Sequence, residues 1–250
     1  MKRLWPLIGL GLGAFVLFAL VTLPASVVLS RVNSPDVNIG GVSGSIWNGR
    51  AQAVQIGGST IGSIEWKLHA LPLLMARATA DVKLSRADNG FANTQLSASP
   101  GGKVSLSHLT ASLPLSALPA NLFPGGWAGT LNAKADEVTL ENGWPTKVNG
   151  TLEVVNMKGP AQRPSDVGSY RIVFDPAAST AELLKGALSD AGDGPLEITG
   201  TVQLKSDRSY TFDALIAARP NAPKSLASSL EYLGPPDAQG RRQFSMAGTM

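Results

Sequence analysis

From about residue 78 onward the chain alternates apolar and polar positions with a period of two. Ala78, Ala80, Val82 and Leu84 share one parity, as do Val148, Leu152 and Val154, then Ile198, Val202 and Leu204, then Tyr210, Phe212, Ala214 and Ile216, and finally Phe244 and Met246. Successive side chains of a strand point to opposite faces, so each run predicts a strand with one apolar face, its Ser, Thr, Asn, Lys and Gln neighbours turned to water. Between the runs stand Asp88-Asn89-Gly90, Pro100-Gly101-Gly102, Asn142-Gly143, Asp193-Gly194 and Ser206-Asp207-Arg208-Ser209. Asn and Gly tolerate positive φ and Asp caps its own turn, so short antiparallel hairpins join the strands. The expected fold is mainly β: an elongated, mostly antiparallel, one-sided sheet, closing with a strand from Gln243 to Met250.

Two stretches leave the period of two. Pro223 to Leu233 has Pro at a first turn, Leu226, Leu230 and Leu233 on one stripe, and Gly234-Pro235-Pro236 as a stop, which predicts a short helix. Ala178 to Leu188 contains good helix formers, but Gly186 and the flanking turns favour a strand.

At the start of the chain the polar positions vanish. Lys2 and Arg3 precede an uncharged, largely apolar run from Leu4 to Leu29, followed by Arg31. About 20 residues at ~1.5 Å each cross a ~30 Å hydrocarbon core, so residues 1–30 are expected to form a cytoplasmic tip and one membrane span. Positive charge ahead of the span stays cytoplasmic and sends the remainder across. A cleaved secretory signal begins in the same way, but its core is about 7 to 15 residues and ends at a small-x-small site. Here the run is longer, and the best cut, after Ala25, has bulky Leu23 two residues before it. A retained anchor is the reading taken, with residues 31–40 as a polar linker around Pro35 and 41–250 as the β-rich domain beyond the membrane, with a sub-boundary near 115–125.

A small unit recurs: Gly44-Ser45-Ile46, Gly62-Ser63-Ile64, Gly129-Thr130-Leu131, Gly150-Thr151-Leu152 and Gly200-Thr201-Val202. It fits two related β halves, around 44–66 and 129–154, and equally a Gly-rich sheet in which such a tripeptide arises repeatedly. Trp47, Trp66, Trp127 and Trp144 lie in or beside these units. In a chain with 6% aromatic residues they are the candidates for core packing or for a partner surface.

Composition narrows the chemistry. The formal charge is +3, but Lys and Arg are scattered singly apart from Lys2-Arg3 and Arg241-Arg242, so no nucleic-acid surface is expected. Cysteine is absent, which removes disulfides, thiol catalysis and thiolate metal sites together. The two histidines, His69 and His108, have no partner at ligand spacing, no Ser lies in Gly-x-Ser-x-Gly, and the Gly-Gly pairs lack a phosphate-loop context. The only adjacent acidic pair, Asp136-Glu137, points to opposite faces if extended. No enzyme, metal or cofactor is expected.

Several segments together carry a resemblance. Gly41-Val-Ser-Gly-Ser-Ile-Trp47-Asn-Gly49-Arg50-Ala51, then Gly62-Ser-Ile-Glu-Trp66-Lys-Leu and the aliphatic stretch Leu71-Pro72-Leu73-Leu74 open it. Gly143-Trp144-Pro145, Gly150-Thr-Leu-Glu-Val, Leu188-Ser-Asp190, Gly194-Pro-Leu, Gly200-Thr-Val and Leu233-Gly-Pro-Pro-Asp237-Ala-Gln-Gly-Arg241 continue it. In this order the chain resembles type II secretion system protein N, also called general secretion pathway protein N, over nearly its whole length. The resemblance implies a single-pass inner-membrane protein of Gram-negative bacteria whose periplasmic domain is an accessory part of the machine exporting folded proteins across the outer membrane. It implies as partners the other components of that machine, such as the inner-membrane protein C and the outer-membrane secretin; homo-oligomerisation stays open. It carries no catalytic residues. A second class keeps the same anatomy: a tethered sheet curled into an apolar groove that handles lipid or outer-membrane clients.

Overall fold

The computed structural model describes residues 18, 22–29, 37–56, 59–118, 126–160, 166–180 and 182–249. Most of the expected span from Leu4 to Leu29 therefore lies outside the described residues, among which no helix is long and apolar enough to cross a membrane. The strands are β1 (Val37–Gly40), β2 (Ser43–Gly44), β3 (Asn48–Ile56), β4 (Ser59–His69), β5 (Ala78–Ser85), β6 (Phe91–Ser99) and β7 (Lys103–Pro114). They continue as β8 (Ala128–Glu141), β9 (Trp144–Lys158), β10 (Asp166–Phe174), β11 (Leu183–Asp190), β12 (Leu196–Lys205), β13 (Ser209–Ala218) and β14 (Arg242–Thr249). All belong to one 14-stranded sheet in which every pairing is antiparallel.

The topology is a meander. β1 and β2 both pair with β3, opposite Ala53–Ile56 and Gly49–Arg50 respectively, so they act as one interrupted edge strand, and each later strand pairs with the next in sequence. Val37–Gly40, read from the sequence as linker, is thus the first strand of the sheet. β7 and β8 pair from Lys103 opposite Glu141 to Pro114 opposite Thr130, so the sheet runs on through the strands that flank 115–125. The turns expected at 88–90, 100–102, 142–143, 193–194 and 206–209 each join neighbouring strands. The 178–188 stretch resolves as a single 3₁₀ turn, Pro176–Ala178, followed by β11. The expected C-terminal helix is present as Lys224–Leu230 behind Pro223, prolonged by a 3₁₀ turn to Leu233 and ended by Gly234 with φ +103°.

Register carries the apolar parity from strand to strand. Ile64 and Trp66 lie opposite Leu84 and Val82; Ala80 opposite Leu96; Leu96 opposite Leu106; Leu106 opposite Val138; and Leu131 opposite Val154. The row goes on through Leu152 with Ile172, Ile172 with Leu188, Leu184 with Leu204, Val202 with Phe212 and Phe212 with Met246. The other face carries Glu65, Lys83, Asn93, Thr110, Lys134, Thr151, Arg171, Lys185, Gln203 and Thr211. Bulges at Ala51/Val54, Asn93/Gln95, Ala135/Glu137 and Gly168 bend individual strands without breaking this division. At one end Trp144 Nε1 donates to the Lys205 carbonyl at 2.8 Å and Arg208 Nη2 to the Asn142 carbonyl at 3.2 Å. These bonds draw together hairpins that a flat sheet holds about 14 Å apart, so the sheet is rolled.

The recurring Gly-Thr unit has a local steric reason. At Gly200 an added Cβ would stand 2.3 Å from the Asp213 carbonyl oxygen, and at Gly150 it would stand 2.5 Å from Ala135 Cβ. Glycine is kept where neighbouring strands approach most closely. Gly200→Val is expected to lower stability by about 1–3 kcal/mol, read as a lowered urea midpoint of the purified full chain; an unchanged midpoint contradicts the close approach.

Candidate interaction surface

The largest feature of the molecule is the apolar face itself. Thirteen paired strands at ~4.8 Å spacing extend it to about 60 Å along the hydrogen-bond direction. No second layer packs on it among the described residues: the α-helices there are Ala25–Leu29, Ala70–Leu73 and Lys224–Leu230, too short to cover it. Burial is correspondingly thin. The buried apolar residues are mostly small or clustered near β10–β12, such as Phe174, Leu184 and Leu188, and among the described residues no large side chain is completely enclosed. Most of the row, from Ile64 and Leu96 through Leu106, Leu152 and Phe212, is half-buried by its neighbours in the rolled sheet, and Met246 at its β14 end is exposed; a broad apolar area that is only partly covered marks binding.

The sheet also has two lateral edges, β1 with β2 on one side and β14 on the other. Along β14 the sequence Arg-Gln-Phe-Ser-Met-Ala-Gly-Thr has one charge and no proline, the usual devices that blunt an edge strand. On the apolar side of this edge the Phe212 and Phe244 rings meet edge to face at 5.8 Å, and Met246 is about half exposed.

The Gly44–Gly49 element is a tightly tied corner. Ser45 N donates to the Asn48 carbonyl at 3.0 Å and the Ser45 hydroxyl accepts from Asn48 N at 3.2 Å. The Trp66 indole packs against Gly49, where a Cβ would stand 2.4 Å from Cζ2 of the ring, and its Nε1 donates to the Ile46 carbonyl at 3.1 Å. The spacing Gly-Ser-Ile-Trp-x-Gly is therefore a hairpin whose last glycine makes room for an indole from the next strand. Ile46 N in turn donates to the Leu23 carbonyl at 3.0 Å, and Pro24 bridges to Ser45, so the end of the N-terminal apolar run is fastened to this corner. Ala25 is buried there.

Of the four tryptophans singled out in sequence, Trp47 and Trp66 belong to this corner, Trp127 precedes β8 and Trp144 opens β9; all four are half-buried. The structure does not gather them into one site. Sequence reasoning missed a polar clamp joining β10–β13. Arg219 pairs with Asp190 and donates from Nη1 to the Gly194 and Leu196 carbonyls at 2.9 and 2.8 Å. Asp190 also accepts from Gly192 N and Ile198 N, and Asp193 accepts from the Ser169 amide and hydroxyl at 2.9 and 2.6 Å. Burial pushes Asp190 up, but the Arg219 guanidinium and the two amides outweigh it and hold the carboxyl below its usual value; Ser169 does the same for Asp193. Burial and the nearby aspartates lift the Tyr170 phenol to about 12, and its hydroxyl donates to the Val167 carbonyl. The partners lie up to 29 residues apart, so no local motif announces them. Among the described residues no group of three His, Asp or Glu side chains is placed to hold a metal ion.

Comparison with known proteins gives this architecture a family. The family model described as type II secretion system (T2SS), protein N matches residues 35–245. The chain belongs to the type II secretion system protein N family. It is 29% identical over 251 residues to type II secretion system protein N of Aeromonas hydrophila, covering 96% of each chain. It is 27% identical over 241 residues to type II secretion system protein N of Vibrio cholerae serotype O1, covering 92% of each. No solved structure gives a significant match. The protein is a component of the type II secretion system, and contact with other parts of that system follows from membership.

Two outcomes test the site's construction. Trp66→Ala is expected to cost ~3 kcal/mol and to loosen the corner that holds Leu23, seen as faster amide exchange at Ile46; unchanged exchange contradicts the indole's role. Because Asp190 is depressed in the folded state, its contribution is complete above the unfolded value of about 4 and is lost as pH falls through the lower folded value. Asp190→Asn is expected to lose ~1.5–3 kcal/mol at pH 7 and to show a flatter acid dependence than the parent; parallel acid curves contradict the clamp.

Proposed function

We propose that the chain is a single-pass inner-membrane protein whose sheet lies in the periplasm, where it supports export of folded proteins across the outer membrane through protein contacts and performs no covalent step. The observation that carries this reading is an open sheet with an unblunted edge strand in a member of a secretion-system family. Unpaired N–H and C=O groups along an edge bind a partner by adding its strand, and alternate side chains supply specificity. The inner-membrane protein C and the outer-membrane secretin are the partners the reading names.

A second reading is favoured by the partly covered apolar face. The concave side of a rolled sheet lined by Leu, Val, Ile, Ala and Phe offers no hydrogen-bonding groups from those side chains, which suits acyl chains or the apolar face of an outer-membrane client better than an extended polar peptide.

The chain has no cysteine, so single cysteines are clean probes. Gln243→Cys and Ser245→Cys on β14, expressed at native level, are expected to crosslink to secretion components, and mass spectrometry of the full chain extracted in mild detergent reports co-purifying lipid. Crosslinks without lipid support the scaffold, stoichiometric phospholipid without crosslinks supports the second reading, and a C-terminal compartment reporter active in the cytoplasm contradicts both.

A further inference from the structure

The connection from β4 to β5 breaks the rule that keeps apolar side chains on one face. It reads Ala70-Leu71-Pro72-Leu73-Leu74-Met75-Ala76-Arg77 and carries no acidic residue. Leu71, Leu74 and Met75 are 79%, 85% and 81% exposed, the most open large aliphatic side chains among the described residues. They are not on a loose loop. Leu74 N donates to the Leu71 carbonyl, Met75 N and Arg77 N to the Pro72 carbonyl, and Ala76 N to the Leu73 carbonyl, at 3.0–3.2 Å. A hydrogen-bonded turn holds three large apolar side chains exposed, and Arg77, itself exposed, follows them two residues on.

Position decides what they meet. Antiparallel pairing puts this turn at the same end of the sheet as β2 and the start of β3, since Asn48 lies opposite Lys67 and Leu68 N donates to the Trp47 carbonyl at 2.8 Å. At that end the N-terminal apolar run is fastened directly, through Leu23 to Ile46 and Pro24 to Ser45. The part of the run that precedes this attachment, residues 4–22, measures about 28 Å if helical, close to the ~30 Å hydrocarbon thickness. No linker then separates the bilayer from this end of the sheet.

We propose that the Leu71–Met75 turn inserts into the interfacial layer of the same bilayer, with Arg77 at the level of the lipid phosphates, so that the sheet stands on the membrane at two points. The proposal rests on the reading of the N-terminal run as a span. Apolar side chains followed by a long cation match the apolar-to-headgroup boundary, and the attachment of the N-terminal run at Ile46 and Ser45 brings that boundary to this end of the sheet. Two attachments, neighbouring in the sheet, fix its tilt where one flexible tether would not.

The test uses the full chain in vesicles of phosphatidylethanolamine and phosphatidylglycerol, with a fluorophore on a single cysteine at L74C, at V16C within the run, or at A87C in the turn at the opposite end of the sheet. Lipid-borne quenchers are expected to quench the L74C and V16C labels and not the A87C label. Adding L71S and M75S to L74C is expected to abolish its quenching, with the urea midpoint unchanged because these side chains are exposed. A quenched V16C label with an L74C label as water-exposed as A87C overturns the insertion and leaves the span standing. An unquenched V16C label overturns the span and the proposal with it.

Discussion

A single sheet must satisfy its backbone hydrogen bonds laterally, and this one does so over fourteen strands while no second layer packs on its apolar side among the described residues. Everything else follows from that imbalance. Ladder hydrogen bonding between neighbours in sequence makes the fold local and continuous, and it needs no central core to hold its strands in order. Yet the hydrophobic term, which usually dominates folding, is only partly collected, because apolar side chains are covered mainly by their neighbours in the sheet and by its rolling. Stability is therefore concentrated in a few well-buried places, around Phe174, Leu184 and Leu188 and at the Asp190–Arg219 clamp, while most of the rest of the face is only half-buried.

The period of two made most of this legible beforehand. Runs such as Tyr210 to Ile216 are strands because their alternation admits no helical stripe, and turns such as Asn142-Gly143 are hairpins because those residues accept positive φ; both Asn142 and Gly143 adopt it. What escaped was of two kinds. Short edge pairing left almost no pattern, so Val37–Gly40 read as linker: its partners in β3 are distant in character, and four residues establish no period. Long-range polar contacts left none at all. Nothing near Asp190 signals Arg219, and nothing near Leu23 signals Ile46, because each bond depends on where the meander brings the chain back. The tryptophans were visible as unusual residues, but their settings differ: Trp66 seals a corner over Gly49, whereas Trp144 reaches across to the Lys205 carbonyl.

For function, the structure supplies surfaces. Membership of the type II secretion system protein N family fixes the machine, and the sheet offers that machine a long apolar face, an edge strand with few safeguards and a corner fastened to the N-terminal apolar run. Each is a means of holding something by contact. The corner and the face belong to the same sheet, so whatever settles the orientation of the first also aims the second.

The central claim is that the chain buries its own apolar face only in part, with no second layer over residues such as Leu96. The direct measurement is the maleimide reactivity of single cysteines in the full chain stripped of bound lipid: Leu96→Cys on the apolar face, Ser97→Cys on the polar face, and Leu115→Cys as a buried reference, Leu115 being 3% exposed. The account predicts that the cysteine at 96 reacts on the time scale of the one at 97 and is slowed when lipid or a partner is restored. A cysteine at 96 as inert as the one at 115 in the stripped, unpartnered chain would show that a second layer covers the face, and would contradict the account.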